Sequence, residues 1–403
     1  MAVKASITPE VIKWARESAG LSPEDVAKKI GRPVDDINAW ESGDRKPTMP
    51  QARNASRVYK RPLAVFFLPH PPKDFSTLRD FRRLPSDYPR EYSTNLRFLI
   101  RQTHERQDWL REYLIEEGFT PLEYVGSAST TVDPISLAST IRKTLNLSIT
   151  EIRKCHTRSE ALKLWIDASE ALGIYVFQSG NMQYEKIEIK EARGFALANE
   201  YAPFVFLNAQ DAKVAQIFTL AHEITHLWVN ESGVSNLHDR GRSLAGASEI
   251  EVFCNSVAAE VILPQKVFSE LWSSLDNTEP LEDRIESSSR RFKVSKTVVA
   301  RRLLNLKSID RRRYLQLAEQ FYQEWLEHRD REKKKSAKSE KGPHPYLMKV
   351  INNGRHFSRV VLGAYQSGRL SGRDTSNILG VKLNLIPKYA KYASMKLSKG
   401  GRD

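Results

Sequence analysis

The stretch Phe218-Thr-Leu-Ala-His-Glu-Ile-Thr-His-Leu-Trp228 constrains this chain more than any other. His222 and His226 are four residues apart, so on a helix both rings leave one face, a turn from each other. Glu223 points to a neighbouring azimuth, within reach of a water held by the two imidazoles. In this His-Glu-x-x-His arrangement two neutral nitrogens bind a metal and a carboxylate takes a proton from its water. A helix is expected here. Asn208 or Asp211 can cap its start, and Val214, Ile217, Leu220, Ala221 and Ile224 give it an apolar face.

Two histidines and a base leave such a site incomplete, because a catalytic metal of this kind usually has three protein ligands and an open position. Ser248 to Pro264 is a helical run stopped by proline, and its acids are Glu249, Glu251 and Glu260. Glu251 lies 25 residues after His226 and has Asn255 one turn on. A ligand carboxylate followed by an amide suits a metal site, since ligating imidazoles need their other nitrogen fixed. Glu251 is therefore the preferred third ligand, with Glu249 in reserve. The competing reading makes Glu251 and Asn255 the polar stripe of an amphipathic helix.

Together, Phe-Thr-Leu-Ala-His-Glu-Ile-Thr-His-Leu and the later Glu-x-x-x-Asn-x-x-Ala-Ala-Glu-x-x-Leu-Pro resemble the ImmA/IrrE family of zinc metallo-endopeptidases. The resemblance covers about residues 171 to 264. It implies a Zn²⁺ cofactor, Glu251 as third ligand, and a protein substrate of the repressor type found in mobile elements and stress responses.

The start of the chain carries a second signature. Thr8-Pro9-Glu10 opens a helix to about Ser18, which Gly20 ends; Ser22-Pro23-Glu24-Asp25 caps another to Ile30, which Gly31 ends. A third runs from Pro33 to Trp40. This is the helix-turn-helix pattern, whose second helix can enter a DNA major groove. Ala39-Trp40-Glu41-Ser42-Gly43, with Pro47 after it, resembles an Xre/Cro-type repressor domain. Asp35, Asp36 and Glu41 on the reading helix repel phosphates, whereas Asn38 can read a base and Lys28, Lys29, Arg32, Arg45 and Lys46 flank it. Two roles follow: DNA binding, or docking of a repressor-like partner.

Between these signatures, helices are expected over about Thr94 to Glu117, Pro134 to Leu145 and Ser159 to Leu172. From Gly173 the period changes: Ile174–Phe177, Gly194–Ala198 and Pro203–Leu207 read as short strands against which the histidine helix can pack. The fold class is α+β: a small all-α helix-turn-helix domain, a mostly helical zincin-like peptidase domain with a small sheet, and a helical C-terminal segment. The expected domains are residues 1–72, a helical connector at 73–158, the peptidase domain at 159–327, a charged linker at 328–344 and the C-terminal segment at 345–403. Arg290 to Leu304 has a superficial helix-turn-helix look, with Ser295 as cap, and reads as part of a bundle closing the peptidase domain. The C-terminal segment suggests no chemistry of its own; substrate docking and dimerisation both remain open for it.

Composition narrows the setting. The net charge of +14 favours anionic partners, nucleic acid first. No apolar run approaches the ~20 residues of a membrane span, and no signal peptide is evident. Two cysteines, Cys155 and Cys254, make no disulfide framework, so a reducing cytoplasm is the expected home. Cys254 has apolar neighbours and reads as core. No phosphate-binding glycine loop and no Gly-x-Ser-x-Gly elbow occur. The expected reaction is hydrolysis of a peptide bond with Glu223 as general base and His238 as a candidate oxyanion helper. The alternative is a DNA-binding regulator with a structural or non-catalytic metal site.

Overall fold

The computed structural model describes residues 3–72, 79–80, 92–179, 187–235, 249–276, 278–337 and 344–394. The chain divides into two compact units. The first comprises Met1–Leu78, Asp87–Asp108 and Tyr184–Ile187; the second takes in Arg79–Ser86, Trp109–Gln183 and Glu188–Asp403.

The first unit is helical: Pro9–Ser18, Pro23–Ile30, Val34–Ser42, Met49–Val58 and a short 3₁₀ turn, Leu63–Phe67. Local chemistry sets these boundaries. Ser22 and Asp25 exchange hydrogen bonds in a capping box, as do Thr48 and Gln51, and Gly31 ends the second helix in the left-handed conformation. Val11, Ile12, Ala15, Val26, Ile37 and Trp40 close the core. Glu41 is turned inward: both its oxygens accept from Arg16, at 2.6 and 2.9 Å, and Arg16 also donates to Leu21 O at 2.8 Å.

The second unit is built on a five-stranded sheet. Its strands are β1 (Arg79–Asp80), β2 (Tyr175–Ser179), β3 (Gly194–Leu197), β4 (Phe204–Asn208) and β5 (Gly233–Ser235), in the order β1-β5-β3-β4-β2. β3 runs antiparallel to both neighbours, whereas β2 pairs parallel with β4, Tyr175 opposite Phe204. Alternation sorts the side chains by face. Val176, Ala196, Val205 and Leu207 join the core around the helix Lys213–Trp228. Tyr175, Phe177 and Phe204 on the other face cluster with Phe357, at ring centroid distances of 5.6 to 6.4 Å.

Phe357 belongs to the C-terminal helices Pro345–Asn353, Arg355–Gln366, Gly372–Leu379 and Ile386–Ser394. Gly354, with φ of +77°, joins the first two; a β-carbon there would meet Val176 O at 2.6 Å, so only glycine lets the chain lie this close to β2. The C-terminal segment thus covers one side of the sheet.

Helices Leu281–Phe292 and Lys296–Asn305 close the unit as a bundle, Phe292, Val299 and Leu303 sharing the core of the histidine helix. The charged run expected as a linker is different: Arg311–Ala337 is one helix. Its Glu, Lys and Arg are good helix formers, and no glycine or proline interrupts them until Gly342-Pro343. Charge density alone therefore misplaced the helix end.

Candidate metal centre

The histidine helix Lys213–Trp228 lies under the sheet and is buried almost all round from Gln216 onward. That is why its sequence is apolar on more than one face. Neither expected residue caps its start. Ala212 is the N-cap; Asn208 is occupied in the preceding turn, accepting from Gln210 N at 3.1 Å, and the Asp211 carboxylate accepts from the adjacent Ala212 N.

Against this helix packs Glu249–Ile262, clamped at its end by two arginines. Arg142 donates to Val261 O at 2.6 Å; Arg302 donates to Leu263 O at 2.9 Å and pairs with Glu260 at 2.5 Å. Glu260 is thereby committed to structure, and Glu249 is exposed. Glu251 alone of the three acids faces the histidines.

His222, His226 and Glu251 form a buried group able to hold a metal ion, with their ligand atoms all within 4.8 Å of one another. The two Nε2 atoms are 3.0 Å apart, and the Glu251 oxygens lie 3.1 Å from His226 Nε2 and 3.4 Å from His222 Nε2. Donors bound tetrahedrally at about 2.0–2.1 Å would sit about 3.4 Å apart. Two nitrogens and one oxygen at nearly that spacing fit a single cation.

Protonation favours the same reading. Burial pushes the His226 imidazole below its ordinary value, against the pull of Glu251. Burial alone would raise Glu251, but the adjacent imidazoles outweigh it and bring the carboxyl down to about 2. A neutral imidazole and an ionised carboxylate are the forms that bind metal.

Glu223 is fully buried on the same helix. A β-carbon on Gly194 of β3 would meet Glu223 Oε1 at 3.0 Å, Phe206 O at 2.9 Å and the Thr219 methyl at 2.5 Å. Gly194 is thus where the sheet lets this helix approach. In sequence it reads only as a glycine bounding a strand; a lone glycine opening a buried run is the one available signal.

Asn255 makes no hydrogen bond to these ligands among the described residues. Cys254, one position earlier, places Sγ 3.8 Å from His226 Nδ1. The helical advance of about 100° per residue explains the exchange, because Cys254 is buried and Asn255 only partly so. Burial and the nearby Glu251 and Glu223 push the Cys254 thiol well above its ordinary pKa, so it stays protonated. His238 lies outside the described residues.

Residues 170–304 match a peptidase-family model described as the IrrE N-terminal-like domain, and residues 12–66 match a helix-turn-helix model. The chain carries an IrrE-like peptidase domain behind a helix-turn-helix. Its match takes in both motif helices, and so His222, Glu223, His226 and Glu251. No curated protein matches the chain. In the helix-turn-helix, Lys28, Lys29, Arg32, Asn38, Arg45 and Lys46 are all exposed, and Arg45 pairs with Asp36. Glu41, bound to Arg16, is withdrawn from the surface. No helix among the described residues is long and apolar enough to cross a membrane.

Proposed function

We propose that the IrrE-like domain is a zinc-dependent endopeptidase acting on a repressor-type or antitoxin-like protein, and that cleavage derepresses genes in the cytoplasm. The observation that carries this reading is the convergence of His222, His226 and Glu251, with Glu223 buried on the same helix. His222 and His226 through Nε2, with the Glu251 carboxylate, would hold the ion. Bound zinc supplies a Lewis acid that polarises a carbonyl and acidifies water towards a pKa of about 7. Glu223 accepts the proton of the attacking water and delivers it to the leaving amine. Cys254 and the clamped helix hold His226 and Glu251 in place. The helix-turn-helix would bring the enzyme to DNA or to its repressor through the exposed Lys28, Lys29 and Arg32.

A regulator with a purely structural metal would need the three ligands but no general base, so the buried Glu223 favours an enzyme. The test is Glu223→Gln. The amide is nearly isosteric and is not a ligand, so metal content and fold should be retained, while cleavage falls by about 10² to 10⁴. Mass spectrometry of a co-encoded repressor incubated with each form reads the outcome. Equal cleavage by wild type and variant would remove Glu223 from the mechanism.

A further inference from the structure

Residues 355–394 repeat much of the local structure of residues 9–42. Helices Pro23–Ile30 and Gly372–Leu379 each have eight residues. Each is capped by a serine, Ser22 or Ser371, whose Oγ accepts at 3.1 Å from the N–H of an aspartate three residues on. Both helices end at a glycine in the left-handed conformation, Gly31 at φ 70° and Gly380 at φ 60°. In both, the next N–H returns to the last turn: Arg32 to Ala27 O at 3.0 Å, Val381 to Ser376 O at 3.1 Å. Six residues past the glycine comes a buried isoleucine, Ile37 or Ile386, and nine past it a buried aromatic, Trp40 or Tyr389. The preceding helices agree too. In the register set by the serines and glycines, Ile12 and Ala15 of the first answer to Val361 and Ala364 of the other, all four buried. The first copy matches a helix-turn-helix family, and its reading helix Val34–Ser42 answers in this register to residues 383–391, the 3₁₀ turn Leu383–Leu385 and the start of the helix Ile386–Ser394.

The copies differ in charge. Asp35, Asp36 and Glu41 of the first become Asn384, Leu385 and Ala390 in the second, and Ile386–Ser394 contains no acid. Lys382, Lys388 and Lys391 are exposed there, Lys388 lying 5.0 Å over the Tyr346 ring. Residues 345–403 hold 11 Lys and Arg against two Asp, whereas residues 1–72 hold 12 against eight acids. Most of the chain's positive excess is therefore concentrated behind the peptidase domain. We infer that residues 355–394 are a second helix-turn-helix that binds duplex DNA, with Lys382, Lys388 and Lys391 contacting the phosphate backbone.

Each lysine–phosphate contact contributes about 0.9 to the slope of log K against log salt. The test uses the full-length protein and a fluorescent duplex of mixed sequence, titrated at several salt concentrations. Replacing Lys382, Lys388 and Lys391 together by Gln should lower the slope by about 2.7 and weaken binding at least tenfold at moderate salt. The triple Arg replacement, which keeps the charges, should restore both. Circular dichroism should be unchanged, since all three residues are exposed, and so should repressor cleavage. Wild-type affinity and slope in the Gln variant would overturn the inference. So would a wild-type protein that binds no duplex, or binding lost only when Lys28, Lys29 and Arg32 are neutralised.

Discussion

Gly194→Ala tests how closely the sheet and the histidine helix depend on one another. The new methyl would sit 2.5 Å from Thr219 Cγ2, 2.9 Å from Phe206 O and 3.0 Å from Glu223 Oε1. Carbon atoms settle at about 3.5–4.0 Å, so the helix would have to retreat by roughly 1 Å. The strand cannot yield instead, because β3 is paired on both sides, with β4 and β5. Overpacking of this kind costs about 1–3 kcal/mol. The retreat carries His222, Glu223 and His226 with it, and a displacement of about 1 Å near the reacting groups costs on the order of a hundredfold in rate. Chemical denaturation and repressor cleavage on the same preparation measure both effects. Adding Thr219→Ser removes the nearest clash and should recover part of the stability. If Gly194→Ala were as stable and as active as wild type, the close approach would not govern the site.

The remaining predictions concern the ligands and one half-buried acid. His226→Ala and Glu251→Gln should each lower zinc affinity by an order of magnitude or more, read by competition with a chromophoric chelator; full affinity in Glu251→Gln would place the third ligand elsewhere. Glu170, on the helix Arg158–Ala171, is raised by burial from 4.5 to about 7, while His356 N–H donates to it at 3.2 Å. A raised folded-state value means stability present below about pH 4.5 is lost as pH climbs through about 7. Glu170→Gln should therefore stabilise the second unit at pH 8, by up to about 3 kcal/mol, and do little near pH 4. Denaturation curves at the two values that coincide for both proteins would refute this.

Legibility tracked how local the cause of each feature was. The first three helices of the helix-turn-helix follow from prolines, serine caps and glycines a few residues apart, and they fall where the sequence places them to within two residues. β2, β3 and β4 were legible as apolar runs between turn residues. β1 and β5, of two and three residues, are too short to show a period, and they exist because their neighbours pair with them. The convergence of Glu251 on His222 and His226 depends on two helices meeting, so sequence could only rank Glu251 above Glu249. The choice of Cys254 over Asn255 beside His226 turns on one step around a helix, which spacing does not resolve. Gly194 is a contact between elements and left no pattern to read. The repeat at residues 355–394 escaped because few residues coincide with the first copy, Ser371, Asp374, Gly380 and Ile386 among them; much of the rest is equivalence of burial, visible only once the chain is folded.

Charge balance explains why a core this apolar tolerates two acids. Glu223 and Glu251 are buried on two helices that pack together, Glu251 beside the two imidazoles. Removing two carboxylates from water costs several kcal/mol each unless opposite charge repays it. A divalent cation on the Glu251 side would cancel both carboxylates at once, turning an unfavourable cluster into a neutral one. A single monovalent cation would leave one charge over, and so would a site with only one of the two acids. On the proposed function the same pair of carboxylates would serve both the electrostatics of the fold and the chemistry: Glu251 would hold the ion and Glu223 would take the proton.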